Sequence, residues 1–244
     1  MSNECETTRR HTRQIHVGDI AIGNGGSLER DLLEKYGEPT ACALVESALR
    51  HVRILEDLDF FDTKISVKAS DVRRMSAAYR KLADTCDYPL HLGVTEAGGR
   101  RSGTVKSAAG IGALLLDGIG DTIRVSLSDD PCEEVRVGFE ILGALDLRHR
   151  GVRIISCPTC ARKGIDVHKT VADLDVRLAH MTKPLTVAVM GCVVNGPGEA
   201  KHADIAAVGQ KNSAPHIYID GRPDHRYDGD DLAGHLAELV EAKS

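Results

Sequence analysis

Strand-type and helix-type periodicities alternate along this chain, and that alternation restricts the possible folds more than any other feature. Lys64-Ile-Ser-Val-Lys68 has the period of two expected of a strand, and Val72, Met75, Tyr79, Leu82 and Cys86 then form a helical stripe behind Asp71. Leu90-His-Leu-Gly-Val-Thr95 leads through a glycine-rich loop into a helix from Ser102 to Leu116, and Thr122-Ile-Arg-Val-Ser-Leu127 leads into a helix opening at Pro131. Strands that each feed a helix pair in parallel, because the helix returns the chain across the sheet. Upstream, Leu44, Val45, Ala48, Leu49, Val52 and Leu55 predict a helix over Pro39 to Leu58, with Pro39 in its first turn.

The pattern continues with a strand from Val152 to Ser156, a helix carrying Val167, Val171, Leu174, Leu178 and Met181, and a strand from Leu185 to Met190. Beyond Glu199 the texture shifts to a hairpin (Asp204 to Val208, His216 to Asp220) and a closing helix from Asp230 to Lys243. A boundary near Gly151 divides the chain into residues 1–150 and 151–244. Aromatic residues are only 3% and Trp is absent, so the core must come from Leu, Ile, Val and Ala, as in layered α/β proteins.

A net charge of -5 and scarce aromatics argue against a nucleic-acid partner. No apolar run approaches the ~18 residues of a membrane span, and the polar start Met1 to His16 lacks a signal peptide's apolar centre, so a cytoplasmic location is expected. Seven cysteines, unevenly spread, do not suggest a disulfide framework; in a reducing compartment a cluster of them reads as ligands.

Cys157-Pro-Thr-Cys160 and Cys192 of Gly191-Cys-Val-Val-Asn-Gly-Pro-Gly-Glu199 both follow strand ends. Three thiolates can hold three irons of a cubane, and Glu199 is the candidate for the remaining, exchangeable position. Spacing alone leaves zinc open, with His168, His180 or His202 completing a set, and also a thioredoxin-like dithiol. Cys5, Cys42, Cys86 and Cys132 read as small apolar fillers or surface thiols. A second constellation gathers at the carboxyl ends of the earlier strands: Lys68, Glu96, Arg124 and Ser126. That rim is where parallel α/β folds bind ligands; its cations suit phosphate and Glu96 suits acid-base work, against the plainer reading of ordinary strand-end charges.

Gly26-Ser-Leu-Glu-Arg-Asp-Leu-Leu-Glu-Lys-Tyr-Gly-Glu-Pro39, Lys64-Ile-Ser-Val-Lys-Ala-Ser70, Leu90-His-Leu-Gly-Val-Thr-Glu-Ala-Gly98 and the two cysteine motifs together resemble the 4-hydroxy-3-methylbut-2-enyl diphosphate synthases of the methylerythritol phosphate route to isoprenoids. The resemblance implies a partial (β/α) TIM-type barrel in residues 1–150 and a smaller α+β iron-sulfur domain in 151–244. It implies a 4Fe-4S cluster on Cys157, Cys160, Cys192 and Glu199, and Glu96 as the barrel-side acid or base. It also implies that Lys68, Arg124 and Ser126 contact the substrate diphosphate, with Asn195 facing the substrate from the cluster domain. The expected reaction is reductive opening and dehydration of 2-C-methyl-D-erythritol 2,4-cyclodiphosphate by an oxidoreductase fed by ferredoxin or flavodoxin, in a head-to-tail homodimer. The alternative is a non-catalytic iron-sulfur or zinc-binding remnant of the family.

The chain also departs from that family. Arg13 to Asn24 resembles the family's extreme N-terminus, whereas Gly26 begins a segment from much further along, so an internal stretch is absent with the join near Asn24 to Gly26. A complete barrel needs eight strand-helix units in typically ~250 residues. The expectation is an open barrel that exposes its edges and the apolar faces of Val67, Val94 and Val125.

Overall fold

The computed structural model describes residues 20–158 and 160–244; Cys5 and the Arg13 to Asp19 part of the family-like start lie outside them. Two compact units are present, the first running to Arg148 and the second spanning His149–Ser244.

The first unit begins with β1 (Ile20–Asn24), a 3-10 turn (Gly25–Ser27) and α1 (Arg30–Tyr36). Then come α2 (Ala41–Glu56), β2 (Lys64–Lys68), α3 (Val72–Ala83) and β3 (His91–Leu92). It closes with α4 (Arg100–Leu116), β4 (Thr122–Ile123) and α5 (Pro131–Ala144). Short polar side chains start the helices by taking free N–H groups: Thr40 accepts from Ala43 N at 3.1 Å, Asp71 from Arg74 N at 2.7 Å and Asp130 from Cys132 N at 2.8 Å. Pro39 therefore precedes the cap rather than sitting in the first turn of α2, a correction to the sequence expectation.

All pairing in this unit is parallel. β1 runs beside β2 from Ile20↔Lys64 to Asn24↔Lys68, the Ile65↔Leu90 bridge joins β2 to β3, and His91↔Thr122 and Leu92↔Ile123 join β3 to β4. The strands thus form a row with β1 and β4 at its ends, and no closed barrel exists among the described residues. The segment where the sequence leads us to expect a join is built into this row: Asn24 ends β1 opposite Lys68, and its Oδ1 accepts from Gly26 N at 3.0 Å.

Between β2 and β3 the ladder is interrupted by the side chain of Tyr79 from α3. Ile65 N donates to Pro89 O at 2.8 Å below the interruption, and Thr95 N donates to Ala69 O at 3.2 Å above it. In the gap the fully buried Tyr79 hydroxyl accepts from Val67 N at 2.9 Å and donates to His91 O at 2.5 Å. A side chain here replaces a missing strand-strand bond.

One expectation is overturned. Val67, Val94 and Val125 are not exposed; they are 0%, 0% and 5% accessible, in one core with Leu44, Met75, Leu82, Ile111 and Leu114 of the helices. The period of two turns these valines toward the helical layer, so the face left without helices is the other one, and it is polar.

The second unit comprises β5 (Val152–Ser156), α6 (Val167–Arg177), β6 (Leu185–Met190) and α7 (Gly196–Ala200). It continues with β7 (Ile205–Gln210), β8 (Ser213–Ile219), β9 (Arg222–Arg226) and α8 (Leu232–Lys243). The sheet order is β5-β6-β7-β8-β9, parallel through β7 and antiparallel beyond. Leu174 of α6 and Leu236 and Val240 of α8 pack on Val187, Val189, Ile205 and Ile217. Ala200 of α7 packs with Ala188, Met190, Ala206 and Val208. No helix among the described residues is long and apolar enough to cross a membrane.

Replacing Tyr79 with Phe leaves Val67 N–H and His91 C=O buried without a partner. Because each such group costs ~1–3 kcal/mol, urea unfolding should show a loss of that order with the helical circular dichroism signal retained. An unchanged midpoint would show that the strands close the gap by themselves.

Candidate functional site

In the second unit, adjacent parallel pairing of β5 and β6 carries two loops to the same sheet end. Cys157 follows β5 directly, and Gly191-Cys192 follows β6. Gly191 N donates to Cys157 Sγ at 3.1 Å, so the two cysteine motifs are hydrogen-bonded to each other. Cys157 and Cys192 are half-buried, whereas Cys160 and Glu199 are exposed.

The stretch after Cys160 is fastened by Lys163 N to Cys160 O at 3.2 Å and by Gly164 N to Gly191 O at 2.7 Å. At Gly164 this loop passes so close to Gln210, at the end of β7, that a Cβ there would collide with the Gln210 backbone. The Cys160 thiol is held below its ordinary pKa, first by the Arg162 backbone N–H and further by the Arg162 side chain. A thiol that ionises readily in an exposed loop is a ready soft-metal ligand.

Asn195 and Glu199 belong to the turn and short helix after Cys192. Gly196 N donates to Cys192 O at 3.2 Å, and Glu199 N donates to Asn195 O at 3.1 Å, which places Glu199 on the first turn of α7. The structure gathers the two cysteine loops and the start of α7 at neighbouring strand ends. Among the described residues, however, no three His, Cys, Asp or Glu side chains stand in a metal-holding arrangement. As a donor set, three thiols and one carboxyl, with a backbone N–H already directed at one sulfur, match the ligand chemistry and N–H···S hydrogen bonding of iron-sulfur centres.

In the first unit, Lys68 ends β2, while Arg124 and Ser126 lie just beyond β4, which stops at Ile123; Arg124 N still continues the ladder to Leu92 O at 2.8 Å. Glu96 is exposed in the loop after β3, and its backbone lies in the left-handed region at φ 53. Such a conformation costs a non-glycine residue of order 1 kcal/mol and clusters at functional positions. Arg124 Nε and Nη2 are buried without a hydrogen-bond partner.

His91, which the sequence reading passed over, hydrogen-bonds through Nδ1 to Thr122 Oγ1 at 2.8 Å. Burial, then the charges of Arg124, Lys64 and Lys68, hold its pKa down to about 4. Its signal was available in the alternation, since His91 shares a strand face with Gly93 rather than with Leu92 and Val94. Gly164 and Gly191 were also passed over as positioning residues, because no local pattern announces a contact with a distant strand end.

Residues 5–139 match the family model for the GcpE TIM-barrel domain, and residues 153–242 match that for the GcpE protein C-terminal domain. The chain is 61% identical over 235 residues to the curated 4-hydroxy-3-methylbut-2-en-1-yl diphosphate synthase (flavodoxin) of Rhodospirillum rubrum, a match covering 94% of this chain and 61% of that protein. The proteins of the same name from Acidiphilium cryptum and Caulobacter vibrioides are 58% and 59% identical over 230 residues, covering 94% of this chain and 62% and 60% of their own lengths. The chain therefore spans less than two thirds of these relatives.

Replacing Gly164 with Ala should force the Cys160 loop off β7. Overpacking of this kind costs ~1–3 kcal/mol, to be read from urea unfolding of the purified chain. A midpoint equal to that of the unsubstituted protein would show that the loop shifts freely.

Proposed function

The chain belongs to the GcpE family, and on that premise we propose that it is an iron-sulfur oxidoreductase of isoprenoid precursor synthesis. The substrate is 2-C-methyl-D-erythritol 2,4-cyclodiphosphate, whose ring opens with the entry of two electrons and the loss of water. The observation that carries this reading is the convergence of the Cys157 and Cys192 loops at the ends of paired strands, with Gly191 N–H on Cys157 Sγ.

Cys157, Cys160, Cys192 and Glu199 would hold a 4Fe-4S cluster, with Glu199 as the exchangeable ligand. When bound, the cluster supplies one-electron chemistry and a coordination position for a substrate oxygen. Lys68, Arg124 and Ser126 bind the diphosphate, and the position of Lys68 and Arg124 at strand ends of the same parallel row supports that role. Glu96 moves a proton as acid or base, and Asn195 faces the substrate from the cluster unit. Flavodoxin, in the names of the relatives, is the preferred electron donor, with ferredoxin as the other candidate. The protein works in the cytoplasm as a homodimer, and residues 1–150 and 151–244 act as its substrate and cluster domains.

Protein purified without oxygen should contain iron and sulfide rather than zinc, and Cys192→Ala should lose both. Glu199→Ala should retain a more labile cluster, because only the replaceable ligand is gone. Stoichiometric zinc without iron would overturn the assignment. With reduced flavodoxin and the cyclodiphosphate, Glu96→Gln should lower turnover by ~10²-fold or more while leaving cluster absorbance intact. Iron retained with no turnover in the unsubstituted chain would identify a non-catalytic remnant.

A further inference from the structure

The face of the β1–β4 row opposite its helices carries Lys64, Ser66 and Lys68 from β2, His91 and Gly93 at β3, and Thr122 and Arg124 at β4. Register arranges them in tiers. Ser66 stands level with His91 through the Ile65↔Leu90 bridge, His91 pairs with Thr122, and Arg124 N–H bonds one step higher. Gly93 leaves bare backbone under the Arg124 side chain: a Cβ there would lie 2.9 Å from Nη2 and 3.0 Å from Nε. The guanidinium lies across β3 with both of those nitrogens buried and without a hydrogen-bond partner.

Those two nitrogens are closed to solvent, so an oxyanion would meet the half-buried guanidinium at its remaining edge and offset its charge from there. The His91 ring is fixed in orientation by Thr122 Oγ1, and its Nε2 makes no hydrogen bond among the described residues. We propose that His91 is a further binding residue of this anion site: with an oxyanion seated on Lys68 and Arg124, its imidazole takes a proton from solvent and donates Nε2–H to the anion. The only bond formed is that N–H. Nδ1–H then donates to Thr122 Oγ1, which satisfies both ring nitrogens.

The electrostatics agree with this geometry. Burial and the charges of Arg124, Lys64 and Lys68, all acting in the same direction, hold His91 near 4 and hence neutral at neutral pH. An added dianion offsets those charges and raises the pKa, so binding and protonation are linked. Tyr79, the other titratable group on His91, donates to its carbonyl and stays neutral because burial raises its own pKa. The inference rests on the reading of Lys68 and Arg124 as diphosphate contacts.

The test is calorimetry of pyrophosphate binding to the full chain at about pH 6, in two buffers of different ionisation enthalpy. Pyrophosphate also ionises near this pH, so the readout is the difference in protons exchanged between variants: the unsubstituted protein should take up a measurable fraction of a proton more per pyrophosphate than His91→Gln. His91→Gln should show only the exchange that comes from the ligand and bind ~10-fold more weakly, the scale of one hydrogen bond to a charged group. Equal proton exchange and equal affinity in the unsubstituted protein and His91→Gln overturn the role of His91; loss of that binding in Arg124→Gln would at the same time uphold the diphosphate reading. Failure of the folded, unsubstituted chain to bind pyrophosphate overturns that reading and this inference with it. Imidazole nitrogen NMR gives a check without substitution: pyrophosphate should move the His91 titration upward by roughly one pH unit or more, and an unmoved titration counts against the proposal.

Discussion

Parallel strand pairing is the constraint on which both units depend. Because neighbouring strands run the same way, each loop that leaves a strand's carboxyl end emerges beside the next one, and side chains far apart in sequence meet there. β5 and β6 deliver Cys157 and Cys192 in this way, with the Gly191 N–H to Cys157 Sγ bond closing the distance. β2, β3 and β4 deliver Lys68, Glu96 and Arg124 by the same rule. The placement of these side chains is thus set by the direction of backbone hydrogen bonding.

The shortened barrel keeps its order through the packing of one sheet face. Ile65, Val67, Leu92, Val94 and Val125 bury against α2, α3 and α4, while the opposite face keeps lysines, a histidine and an arginine. A complete barrel would turn that polar face inward, and here the row remains open at β1 and β4. The apolar core of the unit is therefore intact even though the ring is not. What the open row lacks is strand partners at its two ends, a backbone deficit rather than an exposed hydrophobic one.

Much of this was legible locally. The stripe Val72, Met75, Tyr79, Leu82 became α3 behind its Asp71 cap, and Leu185 to Met190 became β6 within its expected limits. Other elements escaped. The strand expected over Leu90 to Thr95 contracts to His91–Leu92, because the Tyr79 hydroxyl takes the backbone groups that a longer ladder would use. β9 is Arg222-Pro-Asp-His-Arg226, polar throughout and at a sheet edge, so it carries no apolar alternation to read. α7 forms from Gly196 to Ala200 although its Gly and Pro residues argue against a helix, since its first turn is fixed to Cys192 and Asn195.

Most of the order of strands and helices, the family and the two cysteine motifs were readable before folding, because periodicity and motif spacing are local properties of a chain. Which face of each strand is buried had to wait for packing, and packing reversed the expectation for Val67, Val94 and Val125. Packing also brought His91 against Thr122, laid Arg124 over the bare backbone of Gly93, and pressed Gly164 against Gln210. These contacts join residues from different strands and loops, and they exist only once backbone pairing has fixed a register, which no local pattern encodes.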